Sequence, residues 1–271
     1  MTEEIVKEYY KRYVRKEWNR LVKDSYHRLE SDTTLHFLKK YLPKKGLILD
    51  AGGGPGRYTI ELAKLGYDIV LLDIVPENLE FAKRQIKKTK VQARVKEVVE
   101  GSITDLSRFP NNTFDAVICL GGPLSHVIDK KERDKAISEL IRVAKRNAPI
   151  FISVISRLGV LVNELKLFQH EIELPVFKKI RDTGDYLGGY GFTPCHFFLP
   201  EELKELFVKK KVRILEIVGL EGIGSHFQKE INKLAKNKKR WKVWLETHYK
   251  TCTHPAAIGI SEHILIICKK L

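Results

Sequence analysis

The chain has 271 residues, 43% of them hydrophobic, enough to bury the core of one large domain with appendages. Lys and Arg outnumber Asp and Glu by 49 − 34 = 15, which points to an anionic partner such as nucleic acid, against the plainer reading of a lysine-rich, solvated, thermophile-like surface. The start Met1–Lys7 lacks a signal-peptide core, no apolar run reaches membrane-spanning length, and four scattered cysteines form no Cys-x-x-Cys pair; a cytoplasmic protein without membrane segment or zinc site is expected.

Residues 1–45 read as two helices. The first carries Val6, Tyr9, Tyr10, Tyr13 and Trp18 among many Lys and Arg; the second runs through Leu35, Phe37, Leu38 and Leu42 to the stop signals Pro43 and Gly46. Between their apolar faces, Tyr26, His27 and Arg28 offer aromatic and cationic groups. They suit a lid over a ligand crevice, or equally the solvated face of a packing pair.

The apolar run Gly46–Leu49 reads as a buried strand ending at Asp50 and the turn Gly52-Gly53-Gly54-Pro55-Gly56. Ile60, Leu62, Ala63 and Leu65 then recur at helical spacing up to Gly66. Strand, glycine turn and helix form the crevice of an open α/β sheet, although a purely structural turn of the same kind also fits. The third glycine of a dinucleotide fingerprint is replaced by Arg57, and the Gly-Lys-Ser/Thr of a P-loop is absent.

The second strand, Asp68–Asp73, ends in an acidic residue 23 positions after Asp50. That spacing suits a carboxylate accepting ribose hydroxyls, with Ile74 against an adenine; otherwise Asp73 only caps the helix that starts at Pro76. Arg94–Val99 reads as strand three, followed by Gly101-Ser102-Ile103. Phe114–Leu120 is strand four and leads into Gly121-Gly122-Pro123-Leu124-Ser125-His126. Helix Lys130–Arg146 and strand Ile150–Ile155 complete a right-handed βαβ series over residues 46–156.

Beyond Ser156 the pattern is irregular. Residues 157–200 form an insertion rich in aromatics, with Tyr186, Tyr190, Phe192, His196 and Phe197 as a substrate wall or a satellite core. Helix Pro200–Lys209 and strand Val212–Val218 return to the sheet. A second insertion, 224–254, contains the basic helical stretch Lys229–Lys250, which has eight basic and two acidic residues with Trp241, Trp244 and Tyr249. Ser261–Cys268 is the last strand.

Asp-x-Gly-x-Gly-x-Gly with Asp73 beyond it resembles the cofactor loop of class I S-adenosylmethionine-dependent methyltransferases. Tyr26–Glu30, Gly52–Tyr58, the run ending at His126, and Glu262-His263 resemble one broad subgroup of that family. The resemblance implies a seven-stranded, mostly parallel doubly wound α/β sheet over residues 46–271, with residues 1–45 as an N-terminal helical lid and the last strand antiparallel beside strand five. It implies S-adenosyl-L-methionine as cofactor, held by Asp50, Ala51, Gly52, Gly53, Gly54, Asp73, Ile74, Ser102, Ile103 and Leu120, with Asp50 near the ammonium. Relatives often have an acidic residue where Ser102 stands, so the adenine contact here falls to Ser102 and Ile103. The tip of strand four, with Gly122 and Pro123, faces the methyl group.

Methyl transfer needs an aligned acceptor and a place for its proton. His126, just past that tip, is the candidate base, with a structural histidine as the plain alternative. Exocyclic-amine methyltransferases have Asp/Asn/Ser-Pro-Pro-aromatic at the tip, of which only Pro123 is matched. The charge and the basic aromatic stretch lead to an expected RNA acceptor, a base in rRNA or tRNA, with Tyr26, His27, Arg28, Tyr190, His196, Lys239, Arg240 and Trp241 as contacts. A small metabolite enclosed by the N-terminal helices and the 157–200 insertion is the alternative; a non-catalytic RNA-binding protein of the same fold is the third reading. No resident metal is expected.

Overall fold

An apolar run such as Leu47–Ala51 can be buried on both faces only at the middle of a covered sheet, and that is where it lies. The computed structural model describes residues 2–189 and 191–271. In chain order, α1 (Thr2–Arg20) and α2 (Ser25–Tyr41) precede β1 (Leu47–Ala51), α3 (Arg57–Lys64), β2 (Asp68–Asp73), α4 (Pro76–Lys88), β3 (Val95–Glu100), β4 (Ala116–Cys119), α5 (Lys130–Val143) and β5 (Pro149–Ile155). Then come α6 (Arg157–Leu167), α7 (Pro175–Thr183), β6 (Asp185–Tyr186), β7 (Cys195–His196), α8 (Pro200–Val208), β8 (Val212–Gly219), α9 (Gln228–Leu234), α10 (Lys238–Thr251), α11 (Pro255–Ile260) and β9 (His263–Lys270).

The main sheet has seven strands in the order β3-β2-β1-β4-β5-β9-β8. The pairs from β3 through β5 are parallel, and β9 runs antiparallel between β5 and β8. The order reverses between β1 and β4, so their carboxyl ends open a crevice between the two connecting turns. Alternate residues of β1 feed two cores. Leu49 and Ala51 join α5 and α8 on one face; Ile48 joins Phe37 and Leu38 of α2, with α3 and α4, on the other. The N-terminal helices therefore share the core of the sheet.

α1 is bent at Tyr13, whose backbone (φ −115°, ψ 15°) leaves the helical range. Lys11 before the bend and Trp18 after it both meet α4, at Glu77 and Phe81; the chain then leads to α2, capped by Asp24, whose side chain accepts from the His27 amide. The aromatic stretch of 182–198 forms the short antiparallel hairpin β6–β7. The basic stretch is two helices, α9 and α10, separated at Asn237, which caps the second by accepting from the Arg240 amide. Among the described residues no helix is long and apolar enough to cross a membrane.

Phe151 of β5 is fully buried at the centre of the sheet. Phe151→Ala leaves a cavity the strands cannot collapse into. It is expected to cost about 3–5 kcal/mol in urea unfolding, with the m-value unchanged.

Candidate active site

The crevice holds a cavity of about 330 Å³. Its floor is the turn after β1, the end of β2, the segment after β3 and the tip of β4. Its opposite wall is α1, which contributes Glu3, Val6, Tyr10, Glu17 and Arg20 from one helical face.

The glycine turn is shaped by close approach. A Cβ on Gly52 would lie 2.5 Å from Pro123 Cγ, and Gly52 has φ +75°. A Cβ on Gly53 would lie 2.6 Å from the Asp50 carboxyl. The turn is thus wedged between the tip of β4 and the end of its own strand. Gly52 and Gly53 both donate to the Leu72 carbonyl, at 2.7 and 3.1 Å.

Asp73 joins this turn to the next. Its Oδ2 accepts from the Gly54 amide at 2.8 Å. Its Oδ1 accepts from the Val75 amide at 2.9 Å and from Asn78 Nδ2 at 3.2 Å. Burial raises its pKa, against the pull of these hydrogen bonds. A carboxylate oxygen accepts more than one hydrogen bond, so Oδ2 retains capacity for a ribose hydroxyl. Gly52, Gly53, Gly54, Ile74, Ser102, Ile103 and Leu120 line the same cavity. The Ser102 hydroxyl donates to Glu3 of α1 at 3.1 Å.

Asp50 and Ala51 are buried behind the turn and do not line the cavity. The Thr59 hydroxyl donates to Asp50 Oδ2 at 2.6 Å, while Oδ1 is buried with no partner among the described residues. Burial pushes the Asp50 pKa up to about 7. An orphaned carboxylate oxygen beneath a glycine turn fits an ammonium placed in that turn, as S-adenosylmethionine requires. Asp73 would meet the ribose, the glycine turn would border the amino-acid end and Ile74 with Ile103 would lie beside the base, so the residues present fit this cofactor.

At the tip of β4, His126 is fixed from two sides. Its Nδ1 faces the Pro194 carbonyl at 2.9 Å and its Nε2 faces the Tyr10 hydroxyl at 2.8 Å. A carbonyl only accepts, so Nδ1 carries the hydrogen and Nε2 accepts from Tyr10. Burial lowers the His126 pKa to about 4, against the hydrogen bond to Pro194. His126 and Pro123 line the cavity; Gly122 does not, and the glycine that does is Gly121.

Below the cavity lies a buried group of charges. Arg20 forms a double hydrogen bond to Glu30, with Nη2 at 3.1 Å from Oε1, and its Nε donates to Glu17 at 3.2 Å. His263 Nδ1 lies 2.8 Å from Glu221 and 3.7 Å from Glu30. Burial lowers the His263 pKa, but the carboxylates of Glu30 and Glu221 outweigh it and hold it at about 9. Glu30, Glu221 and His263 are close enough to share a metal ion. The cationic His263 and Arg20 instead supply the positive charge these carboxylates need.

The expected acceptor contacts do not come together. Tyr26 is buried against Ile231, Trp241 and Trp244, and its hydroxyl accepts from the His226 amide at 2.8 Å. His27 pairs with Asp24, and Arg28, Lys239 and Arg240 are exposed away from the cavity. His196 is 3% exposed and lies 2.6 Å from both Asp185 and Glu202, a structural clamp on the hairpin. Tyr190 lies outside the described residues. The sequence reading assigned no role to Tyr10, Glu17 or Arg20; the signal available was their recurrence with Val6 on one face of α1.

Residues 48–147 match a family described as "Methyltransferase domain". A glycine/sarcosine N-methyltransferase of Parasynechococcus marenigrum is 29% identical over 136 residues, 50% of this chain and 46% of that protein. A ubiquinone biosynthesis O-methyltransferase of Rickettsia conorii is 28% identical over 180 residues, 64% of this chain and 53% of that one. The chain spans about half the length of the first curated relatives it matches. Among solved structures, an S-adenosylmethionine-dependent methyltransferase of Methanosarcina mazei superposes with TM-score 0.60 at 21% identity, covering 87% of this chain and 97% of that one. Another from Clostridium acetobutylicum gives 0.59 at 12%, covering 94% and 96%.

The buried charges set a pH dependence. A histidine held at about 9 in the folded chain and about 6.5 unfolded contributes stability that is fully present below pH 6.5 and lost as pH rises through 9. The stability difference between wild type and His263→Gln is expected to shrink by up to about 3 kcal/mol between pH 6 and 10 in urea titrations.

Proposed function

We propose that this chain, whose residues 48–147 match a methyltransferase domain, methylates a small molecule enclosed between the sheet and α1. The observation that carries this is the wall of α1. Val6, Tyr10, Glu17 and Arg20 close a cavity of about 330 Å³ over the tip of β4. That is the lower end of the range for one ligand, so the helix wall rather than the volume is what favours a compact acceptor. The named relatives support the same reading: the printed names of two of them refer to glycine or sarcosine and to ubiquinone biosynthesis.

An RNA acceptor has less support. The aromatics that would stack bases are engaged in packing, Trp241 and Trp244 against Tyr26, Leu29 and Ile231. The lysines of α9 and α10 remain as a solvated cationic surface, which accounts for much of the charge without a polymer ligand.

S-adenosylmethionine supplies a methyl group already activated by its sulfonium charge. The chain's part is alignment, exclusion of water and removal of one proton. Gly52–Gly54, Asp73 and Ile74 would hold the cofactor, with Leu120 and Gly121 lining the same cavity. α1 keeps water from it. The acceptor's proton passes to Tyr10 Oη as the phenolic proton passes to His126 Nε2, and Pro194 steadies the resulting imidazolium through Nδ1. Burial holds the His126 pKa at about 4, so the ring is neutral at physiological pH with Nε2 unprotonated, and the same burial makes it a weak base.

Radiolabelled S-adenosylmethionine offered to a small-molecule extract and, separately, to unmodified total RNA is expected to label the extract. Label confined to RNA would sink the reading. Tyr10→Phe keeps the ring and removes the relay; it is expected to lower kcat roughly a hundredfold while the affinity for S-adenosylhomocysteine holds.

A further inference from the structure

His126 owes its tautomer to one backbone carbonyl. Nδ1 carries the hydrogen because the Pro194 carbonyl accepts it at 2.9 Å, and that leaves Nε2 to accept from Tyr10. A neutral ring with its hydrogen on Nε2 has no lone pair there to receive a proton. Whatever holds Pro194 in place therefore decides whether Tyr10 has a partner.

Pro194 stands immediately before β7. The ladder β6–β7 pairs only Asp185 with His196 and Tyr186 with Cys195, and a two-stranded ladder that short does not hold its place unaided. Side chains fasten it. His196 Nδ1 lies 2.6 Å from Asp185 Oδ1 on the paired strand, and its Nε2 lies 2.6 Å from Glu202 Oε1 on α8. Glu202 Oε2 accepts from Arg157 Nη2 at 2.8 Å, and the same guanidinium donates to the carbonyls of Phe197 at 3.2 Å and Thr183 at 3.1 Å. Arg157 opens α6 directly after β5, and its amide donates to the Phe198 carbonyl at 2.9 Å. One run of contacts thus joins the main sheet, α8 and both short strands, and it ends two residues from Pro194.

His196 and Arg157 are both buried, and burying such groups beside carboxylates is a poor way to gain stability. A fixed position for β7 is what it gives. Asp185, His196 and Glu202 do not line the cavity. We infer that these three are positioning residues for His126: their clamp keeps the Pro194 carbonyl on Nδ1 and so keeps Nε2 bare for the Tyr10 proton. This rests on the Tyr10–His126 relay, and the two are tested separately.

Long-range 1H–15N spectra of the protein bound to S-adenosylhomocysteine read the His126 tautomer directly. Wild type is expected to carry hydrogen on Nδ1 alone. His196→Gln, which can meet only one of the two carboxylates, and independently Asp185→Asn, should bring in the Nε2–H form. Each should slow label transfer from S-adenosylmethionine to a small-molecule extract at least tenfold, while the Kd for S-adenosylhomocysteine stays within twofold. Thermal unfolding checks that each variant is folded. An unchanged Nδ1–H signal in a folded variant would overturn the inference whatever the rate does, because a clamp that only stabilises the hairpin leaves the tautomer alone. A wild-type ring with its hydrogen on Nε2 would overturn it without any variant, and so would a shifted tautomer with the full transfer rate. A loss of S-adenosylhomocysteine affinity as large as the loss of rate would give the clamp to the cofactor site instead. The relay itself falls if Tyr10→Phe transfers label at the wild-type rate, an outcome the tautomer spectra do not share.

Discussion

The Asp73 carboxylate is the joint on which the site depends. It ends β2, yet it accepts from the Gly54 amide in the turn after β1 and from Val75 and Asn78 at the start of α4. One buried carboxylate therefore fixes two crossover turns relative to each other. Gly52 has no room for a side chain against Pro123, so the same turn also registers against the tip of β4. Three strand ends that come from distant parts of the chain are set to within hydrogen-bond tolerance before any ligand arrives. That is the preorganisation a methyl donor requires.

α1 then completes what the sheet begins. Its contacts with the site are of two kinds. Tyr10 reaches His126, and Arg20 reaches Glu30, through short and buried bonds. Arg57, at the start of α3 just after the glycine turn, stacks on Trp18 with its guanidinium 4.0 Å from the ring and donates to the Trp18 carbonyl at 2.9 Å through Nε. The helix is thus tied to the turn, the tip of β4 and α2 at once, and the cavity is built as much by helix contacts as by the sheet.

Much of this was legible in the sequence because it is local. The glycine turn, Asp73 at a fixed distance beyond it, and the alternation of strands and helices are patterns within a few dozen residues, and the seven-stranded sheet is what the resemblance they carry implies. What was not legible depends on partners far apart in the chain. Arg20 looks like any surface arginine until Glu30 and His263 surround it. Trp241 and Trp244 look like a stacking platform until Tyr26 covers them. His196 sits among aromatics like a substrate wall, but Asp185 and Glu202, eleven residues before and six after, take both ring nitrogens. Those two flanking carboxylates were the available sign. Asp50 was read in its proper turn, but whether a strand-end carboxylate faces a cavity or lies beneath the turn is decided by packing with Thr59 and Gly53.

The bend at Tyr13 divides α1 into halves with unequal holds. The second half is tied by Arg57 and by the buried Glu30. The first half is tied by buried Val6, by Tyr9 against Phe192 and Tyr10 against His126, by the Ser102–Glu3 bond, and by exposed ion pairs, Lys7 with Glu100 at 3.9 Å and Lys11 with Glu77 at 3.4 Å. Such exposed pairs are worth at most about 1 kcal/mol each and weaken as salt screens them. What salt screens therefore lies along the Glu77 and Glu100 side of α1, and what it leaves largely untouched is the Arg20–Glu30 bond beyond the bend.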